Sequence, residues 1–250
     1  MMSSPTKLLR KVILPIQLAF FLMQCKPVYY IPNTQNVPAI SSKSETVIAL
    51  ASGDGHGELQ FAGGISKQWA VQANGHLIFP ERSNDENAVT EPIVSGGFLE
   101  SGLGYYKLID ENLLFEVYGL AGWGRIKNDS EQSRLDFPGT KGIITTDFIR
   151  TAIQPSITFL KSNWSASASA RMARLQYLNT AGDLIYENLD QKKYLEDHAT
   201  NFLFEPALTI RAGFDPIRFQ LQIQRSFNLT KKDFSQDNSL TSLGFSYRFR

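Results

Sequence analysis

The chain of 250 residues holds one cysteine, Cys25, so no disulfide can form within it. Histidine is nearly as scarce, with only His56, His76 and His198. No G-x-S-x-G, H-E-x-x-H or related catalytic spacing occurs. No cluster in the sequence has the spacing of a transition-metal site, so neither a metal nor another cofactor is expected. Charge of one sign is also missing: 25 Lys and Arg stand against 24 Asp and Glu, a formal +1. Without a basic excess, nucleic acid is not an expected partner. A membrane helix needs an apolar run of roughly 20 residues, which the chain lacks, and its mean hydropathy is −0.19. That argues against a helical membrane protein but not against a membrane β-barrel, in which half of each strand faces inward and is free to be polar.

The N-terminus reads as a targeting segment. Lys7, Arg10 and Lys11 precede an apolar stretch from Val12 to Met23, and Cys25 follows at once. Leu22-Met23-Gln24-Cys25 resembles a bacterial lipobox, in which the cysteine is acylated and becomes the first mature residue. Leu22 fits that pattern, whereas Gln24 stands where Gly, Ala or Ser is usual. The expectation is a lipoprotein signal peptide over 1–24 with lipidation at Cys25. The other reading is an ordinary secretory signal with an incidental cysteine. Removing the three basic residues turns the formal charge from +1 to about −2. Residues 25–43 are interrupted by Pro27, Pro32 and Pro38, which suggests an extended tether between lipid and fold. Residues 44–250 are of a length that suits a single all-β domain.

What the sequence does have is period-2 alternation. Ten candidate strands lie near 44–53, 57–66, 69–79, 94–108, 113–126, 143–160, 164–177, 201–214, 217–229 and 240–249. In the ninth, Ile217, Phe219, Leu221, Ile223 and Phe227 share one parity, and Arg218, Gln220, Gln222, Gln224 and Ser226 the other. Successive strand residues point to opposite faces, so one face is apolar and the other polar. Arg225 is the one break on the apolar face. The first segment is the least regular.

The joins alternate as well. Residues 67–68, 109–112, 161–163 and 215–216 are tight, while 80–93, 127–142, 178–200 and 230–239 are long. Residues 54–56 are the exception, short where a long join is due. Strict alternation of short and long joins is the pattern of a closed up-and-down antiparallel membrane β-barrel, with short turns facing the periplasm and long loops outside. About ten strands are expected, eight being the smaller alternative, with both chain ends on the periplasmic side. Aromatics gather near the short turns: Trp69, Tyr105, Phe115, Trp164, Phe214, Phe219 and Phe249. Trp123 belongs to a looser set toward the long loops. Two bands suit two bilayer interfaces.

The stretch from Cys25 to Pro38 (CKPVYYIPNTQNVP), with Phe204 to Gly213 (FEPALTIRAG), resembles the small outer-membrane β-barrel lipoproteins of Bacteroidota-type bacteria. The resemblance implies an outer-membrane location and a barrel, and brings no activity, cofactor or catalytic residue with it.

Function therefore turns on the inward face. Glu58, Glu100, Glu116 and Glu205 share the polar parity with Arg150, Arg171, Arg211 and Arg218. A narrow lumen cannot leave such charges unpaired, so an Arg–Glu network filling it is expected. The function this suggests is a lipid-anchored outer-membrane barrel with a structural, adhesive or surface-interaction role and membrane lipid as its partner. Three alternatives compete. One is a soluble lipocalin-like lipoprotein with the apolar face turned inward around a ligand. The second is a small pore or transporter. The third is an envelope hydrolase or acyltransferase using His76 or His198, the latter beside Glu196 and Asp197. His56, in Asp54-Gly-His-Gly57, reads as part of a glycine-rich turn.

Overall fold

The computed structural model describes residues 26–53, 55–80, 93–130 and 139–249. The signal segment 1–24, the candidate lipidation site Cys25 and loop residues 81–92 and 131–138 lie outside the described residues.

The alternating segments form strands: β1 (Thr46–Gly53), β2 (His56–Gly64), β3 (Trp69–Ile78), β4 (Ile93–Leu108), β5 (Leu113–Asp129), β6 (Ile143–Leu160), β7 (Trp164–Gly182), β8 (Ile185–Tyr186), β9 (Leu189–Asp190), β10 (Thr200–Phe214), β11 (Ile217–Arg225), β12 (Phe227–Asn228) and β13 (Ser239–Phe249), with one helix, α1 (Gln191–Asp197). Strands β1 to β7 pair in chain order, β7 pairs β10, β10 pairs β11, β11 pairs β13, and β13 returns to β1. All these pairings are antiparallel. The sheet is thus a closed barrel of ten strands. β12 carries the line of β11 past Ser226 onto β10, and β8 and β9 form a small hairpin of their own.

The turns at one end are built from local side chains. Asp110 Oδ1 accepts from the N–H groups of Asn112 (2.7 Å) and Leu113 (2.9 Å), and Ser66 Oγ accepts from those of Gln68 and Trp69. Such Asx and Ser turns let four residues reverse a strand. β1 starts and β13 ends at this same end, where Thr46 stands opposite Phe249.

The outward parity is apolar around the whole circumference. Phe219 is 71 % exposed while Gln222 is fully buried, and Ile217, Leu221 and Ile223 are exposed where Arg218, Gln220 and Gln224 are buried. A lipocalin needs the reverse arrangement, so that reading is excluded. Leu50, Leu59, Leu99, Ile153, Leu208 and Leu243 extend the exposed apolar face across six other strands. A belt of this extent on a closed barrel needs lipid around it. Trp69, Trp123, Trp164, Phe214 and Phe249 stand exposed on this face, with Tyr105 and Phe115 half-buried. Trp69 meets Tyr105 edge-on at 6.0 Å, and Phe159 meets Trp164 at 5.7 Å.

The largest departure from expectation is the tether. Residues 27–40 do not link the barrel to a lipid from outside. They run through its lumen, and from Tyr29 to Ile40 all but Ile31 are buried. The segment is extended, as its prolines require, but the barrel wall surrounds it. Cluster composition gives the reason. Tyr29 and Tyr30 pack with Phe98, Phe148, Leu175, Tyr177, Leu184, Leu195, Leu203 and Phe234 near the long-loop end. Ala39 and Ile40 pack with Val47, Ala62, Ala70, Tyr106, Leu114, Tyr118 and Leu120 near the short-turn end. This also explains why the first strand alternates poorly: its inner residues Val47, Ala49 and Ala51 are apolar as well as its outer ones, since its lower end lines the apolar seal at Ile40.

In the long join 178–200, where the apolar residues between Tyr177 and Tyr194 suit a small lid or helix, β7 runs on to Gly182 and residues 183–199 fold across the long-loop mouth. Its Leu184 and Leu195 are buried in the upper cluster. Glycines on the inner face at 122 and 124 keep the wall open there. A side chain at Gly122 would meet the Phe98 ring at 2.5 Å, and one at Gly124 the Phe148 ring at 2.4 Å.

Candidate functional site

The site the topology creates is the lumen with the segment 27–40 inside it. Apart from a parallel bridge between Tyr30 and Gln236, the threaded segment has no ladder partner, yet its buried N–H and C=O groups need partners. The inward side chains of the wall supply them. Thr34 N donates to Glu58 Oε1 at 2.7 Å, and Gln60 Nε2 donates to Thr34 O at 3.0 Å. Gln35 N donates to Gln222 Oε1 and receives Gln222 Nε2 on its own oxygen, at 2.7 and 2.9 Å. Gln154 Nε2 donates to Asn36 O, and Arg211 Nη1 to Val37 O.

Two of the expected Arg–Glu pairs form at the centre. Arg150 Nη2 lies 2.7 Å from Glu100 Oε2, and Arg171 Nε lies 2.6 Å from Glu205 Oε2; all four side chains are buried. Both pairs also grip the threaded segment. Arg150 donates to Tyr30 Oη (2.7 Å) and Asn33 Oδ1 (2.8 Å), and stacks on Phe98 at 4.3 Å. Arg171 Nη2 donates to Asn33 O, and Tyr30 Oη donates to Glu205 Oε1 at 2.9 Å.

The other four charges assigned to that network do not pair with one another. Glu116 accepts from the N–H groups of Ala39 and Ile40, each at 3.1 Å, and from Tyr118 Oη. Ala39 has φ +55°, a left-handed conformation that turns both N–H groups toward one carboxylate. Glu58 holds Thr34. Arg211 Nε donates to Gln220, and Arg218 pairs with Asp215 at 3.1 Å and donates to Ser162 O. The expectation of a lumen filled by Arg–Glu pairs is corrected on this point: Glu58, Glu116 and Arg211 bind backbone of the threaded segment, and Arg218 binds the short turns.

A third pair, Arg248–Glu45, closes the short-turn end. Arg248 also donates to the carbonyls of Pro38 and Ala39. Burial alone would raise the Glu45 pKa, but Arg248 and the Ser41 N–H outweigh it and leave the carboxyl below its usual range. At the opposite end, Tyr29 N donates to Ser235 O, Tyr177 Oη to Tyr29 O and Tyr29 Oη to Gln191 Oε1. Val28 N donates to Asn128 Oδ1, and Ser235 Oγ to Pro27 O. The threaded chain therefore spans the lumen from the short turns to the long loops.

The histidines fall in two places. His198 follows α1, with Nδ1 2.7 Å from Tyr194 O, its ring stacked on Tyr194 at 4.2 Å and Nε2 3.8 Å from Asp233. His56 is not a turn residue. It is the first residue of β2, buried beside His76, with ring centroids 5.0 Å apart. His56 Nε2 lies 3.6 Å from Glu58 Oε1, so His56, Glu58 and His76 come together, contrary to the reading that no such cluster exists. The signal was present in the sequence. His56-x-Glu58 puts two side chains on one face, and stepping back from the turn at 65–68 places His76 opposite Glu58.

No protein-family model and no curated protein matches the chain. Solved structures are similar to it in part. They include LpxR from Salmonella typhimurium, 10 % identical, covering 82 % of this chain and 99 % of that one at a TM-score of 0.37. The outer membrane protease OmpT from Escherichia coli is 8 % identical, covering 84 % and 94 %, at 0.45. An outer membrane channel from Pseudomonas putida F1 is 10 % identical, covering 87 % and 100 %, at 0.41.

Proposed function

We propose that this protein is a lipid-anchored outer-membrane barrel that works at its loop face, in a structural, adhesive or surface-interaction role, and not through its lumen. The observation that carries the reading is the buried path of residues 27–40, sealed by an apolar cluster at each end. The Arg150–Glu100 and Arg171–Glu205 pairs lock the segment at its middle. A pore or transporter would need that segment to leave, at the loss of the hydrogen bonds that residues 27–40 make with the wall. Membrane lipid is the barrel's surrounding partner, and its exposed Trp69, Trp123, Trp164 and Tyr247 suit the interfaces. The acyl group expected at Cys25 adjoins Lys26, which stands at the long-loop mouth beside Pro27 and Val28. Planar-bilayer recording tests the closed lumen. The intact protein should insert without stepwise conductance, and steady channel currents from protein of native heat-modifiable mobility would overturn the reading.

A further inference from the structure

We propose that His56, Glu58 and His76 form a binding site for one divalent ion of the zinc class, set in the barrel wall beneath the loop face. Geometry supports this first. His56 and Glu58 share the inner face of β2, and Glu58 stands directly opposite His76 on β3. Their donor atoms all lie within 4.8 Å of one another. A tetrahedral ion with bonds of about 2.0–2.1 Å holds its ligand atoms about 3.4 Å apart, and His56 Nε2 already lies 3.6 Å from Glu58 Oε1.

The second support is a buried polar atom. His76 is buried, and its Nε2 has no hydrogen-bond partner among the described residues. Leaving such an atom unsatisfied is costly, and a native structure owes a reason for it; a metal ion takes that lone pair. The third support is orientation. Glu58 is already held by Thr34 N at 2.7 Å, the kind of outer contact that fixes a ligating carboxylate.

Donor chemistry selects the ion. Two imidazoles and one carboxylate suit zinc and its neighbours in the first transition row, whereas calcium and magnesium take oxygen donors. The lumen cations Arg150 and Arg171 are each offset by a carboxylate of their own, so they do not leave this end of the lumen strongly positive. Because Glu58 also binds the threaded segment, an ion here would brace wall and segment together. The three ligands stand on β2 and β3 alone, so zinc binding can fail without the closed lumen failing; only the hold of Thr34 on Glu58 rests on the threaded segment.

Purified full-length protein without a polyhistidine tag, in detergent, is equilibrated with Zn²⁺ alone, and bound metal is measured after dialysis. One equivalent per chain is expected, with affinity at least tenfold weaker in His76→Gln and Glu58→Gln and unchanged in His198→Ala. Co²⁺ on the intact protein gives a readout that needs no variant: the intense visible bands of a four-coordinate ion are expected. Absence of stoichiometric zinc, an ion retained by a folded His56→Ala/His76→Ala double variant, or only the weak bands of six-coordinate cobalt would each overturn the proposal.

Discussion

At the residue scale, the lumen solves one problem in two ways. A buried carboxylate needs either a cation or several N–H donors. Glu100 and Glu205 take arginines, while Glu116 and Glu58 take backbone N–H groups of the threaded segment. The two solutions respond differently to mutation. Arg171→Met leaves Glu205 buried without its paired cation and also removes the donor to Asn33 O. Breaking a buried pair from one side costs about 3–5 kcal/mol. Urea unfolding in lipid vesicles, followed by tryptophan fluorescence, should show a loss of that size for Arg171→Met, and a clearly smaller one for Arg171→Met/Glu205→Leu. Equal losses would mean that the contacts to Tyr30 and Asn33, not the charge, dominate. The inward direction of these side chains was readable from parity. What they bind was not, because Tyr30, Asn33 and Ala39 belong to a segment with no periodicity to place it.

At the element scale, legibility follows from where water and lipid lie. A strand with lipid on one side and a polar lumen on the other must alternate, so β3, β7, β10 and β11 were clear from sequence. β1 was blurred because its inner face meets the apolar seal around Ile40. The threaded segment was unreadable as structure because it forms no ladder, and its prolines argue equally for a free linker and for an extended strand in a tube. The mouth cover was only partly visible. Its helix is short, and tertiary contacts through Leu195 hold it more than propensity does. Asp190 caps it, accepting from Lys192 N at 2.9 Å and Lys193 N at 3.3 Å. Asp190→Ala should cost about 1 kcal/mol locally, enough to raise the open population about fivefold. Limited trypsin digestion should then cut at Lys192–Lys193 several-fold faster, with the barrel's heat-modifiable mobility unchanged. Loss of the folded band together with faster cutting would show instead that the cover is part of the barrel's global stability.

At the scale of the whole molecule, threading reverses the expected position of one chain end. An even number of strands puts the start of β1 and the end of β13 together at the short turns, and they are there. The segment that precedes β1 does not stay with them. From Ile40 the chain runs back up the lumen, and Val28 meets Asn128 at the top of β5, beside the long-loop end. Thirteen residues from Val28 to Ile40 reach about 40 Å when extended, more than the roughly 30 Å of a bilayer's hydrocarbon core. If the long loops face the outside, as they do in outer-membrane barrels, Lys26 lies outside too. The barrel then encloses residues 27–40 of its own chain when it closes. Single-cysteine labelling with a membrane-impermeant maleimide on intact cells tests the arrangement. Lys26→Cys should label like Lys232→Cys in the long loop 229–238. Lys67→Cys, in the short turn 65–68, should label only after the membrane is permeabilised. The unsubstituted protein should not label at all if Cys25 is acylated. A Lys26→Cys protein that behaves like Lys67→Cys would place the N-terminus with the short turns and rule out a threaded lumen in the cell.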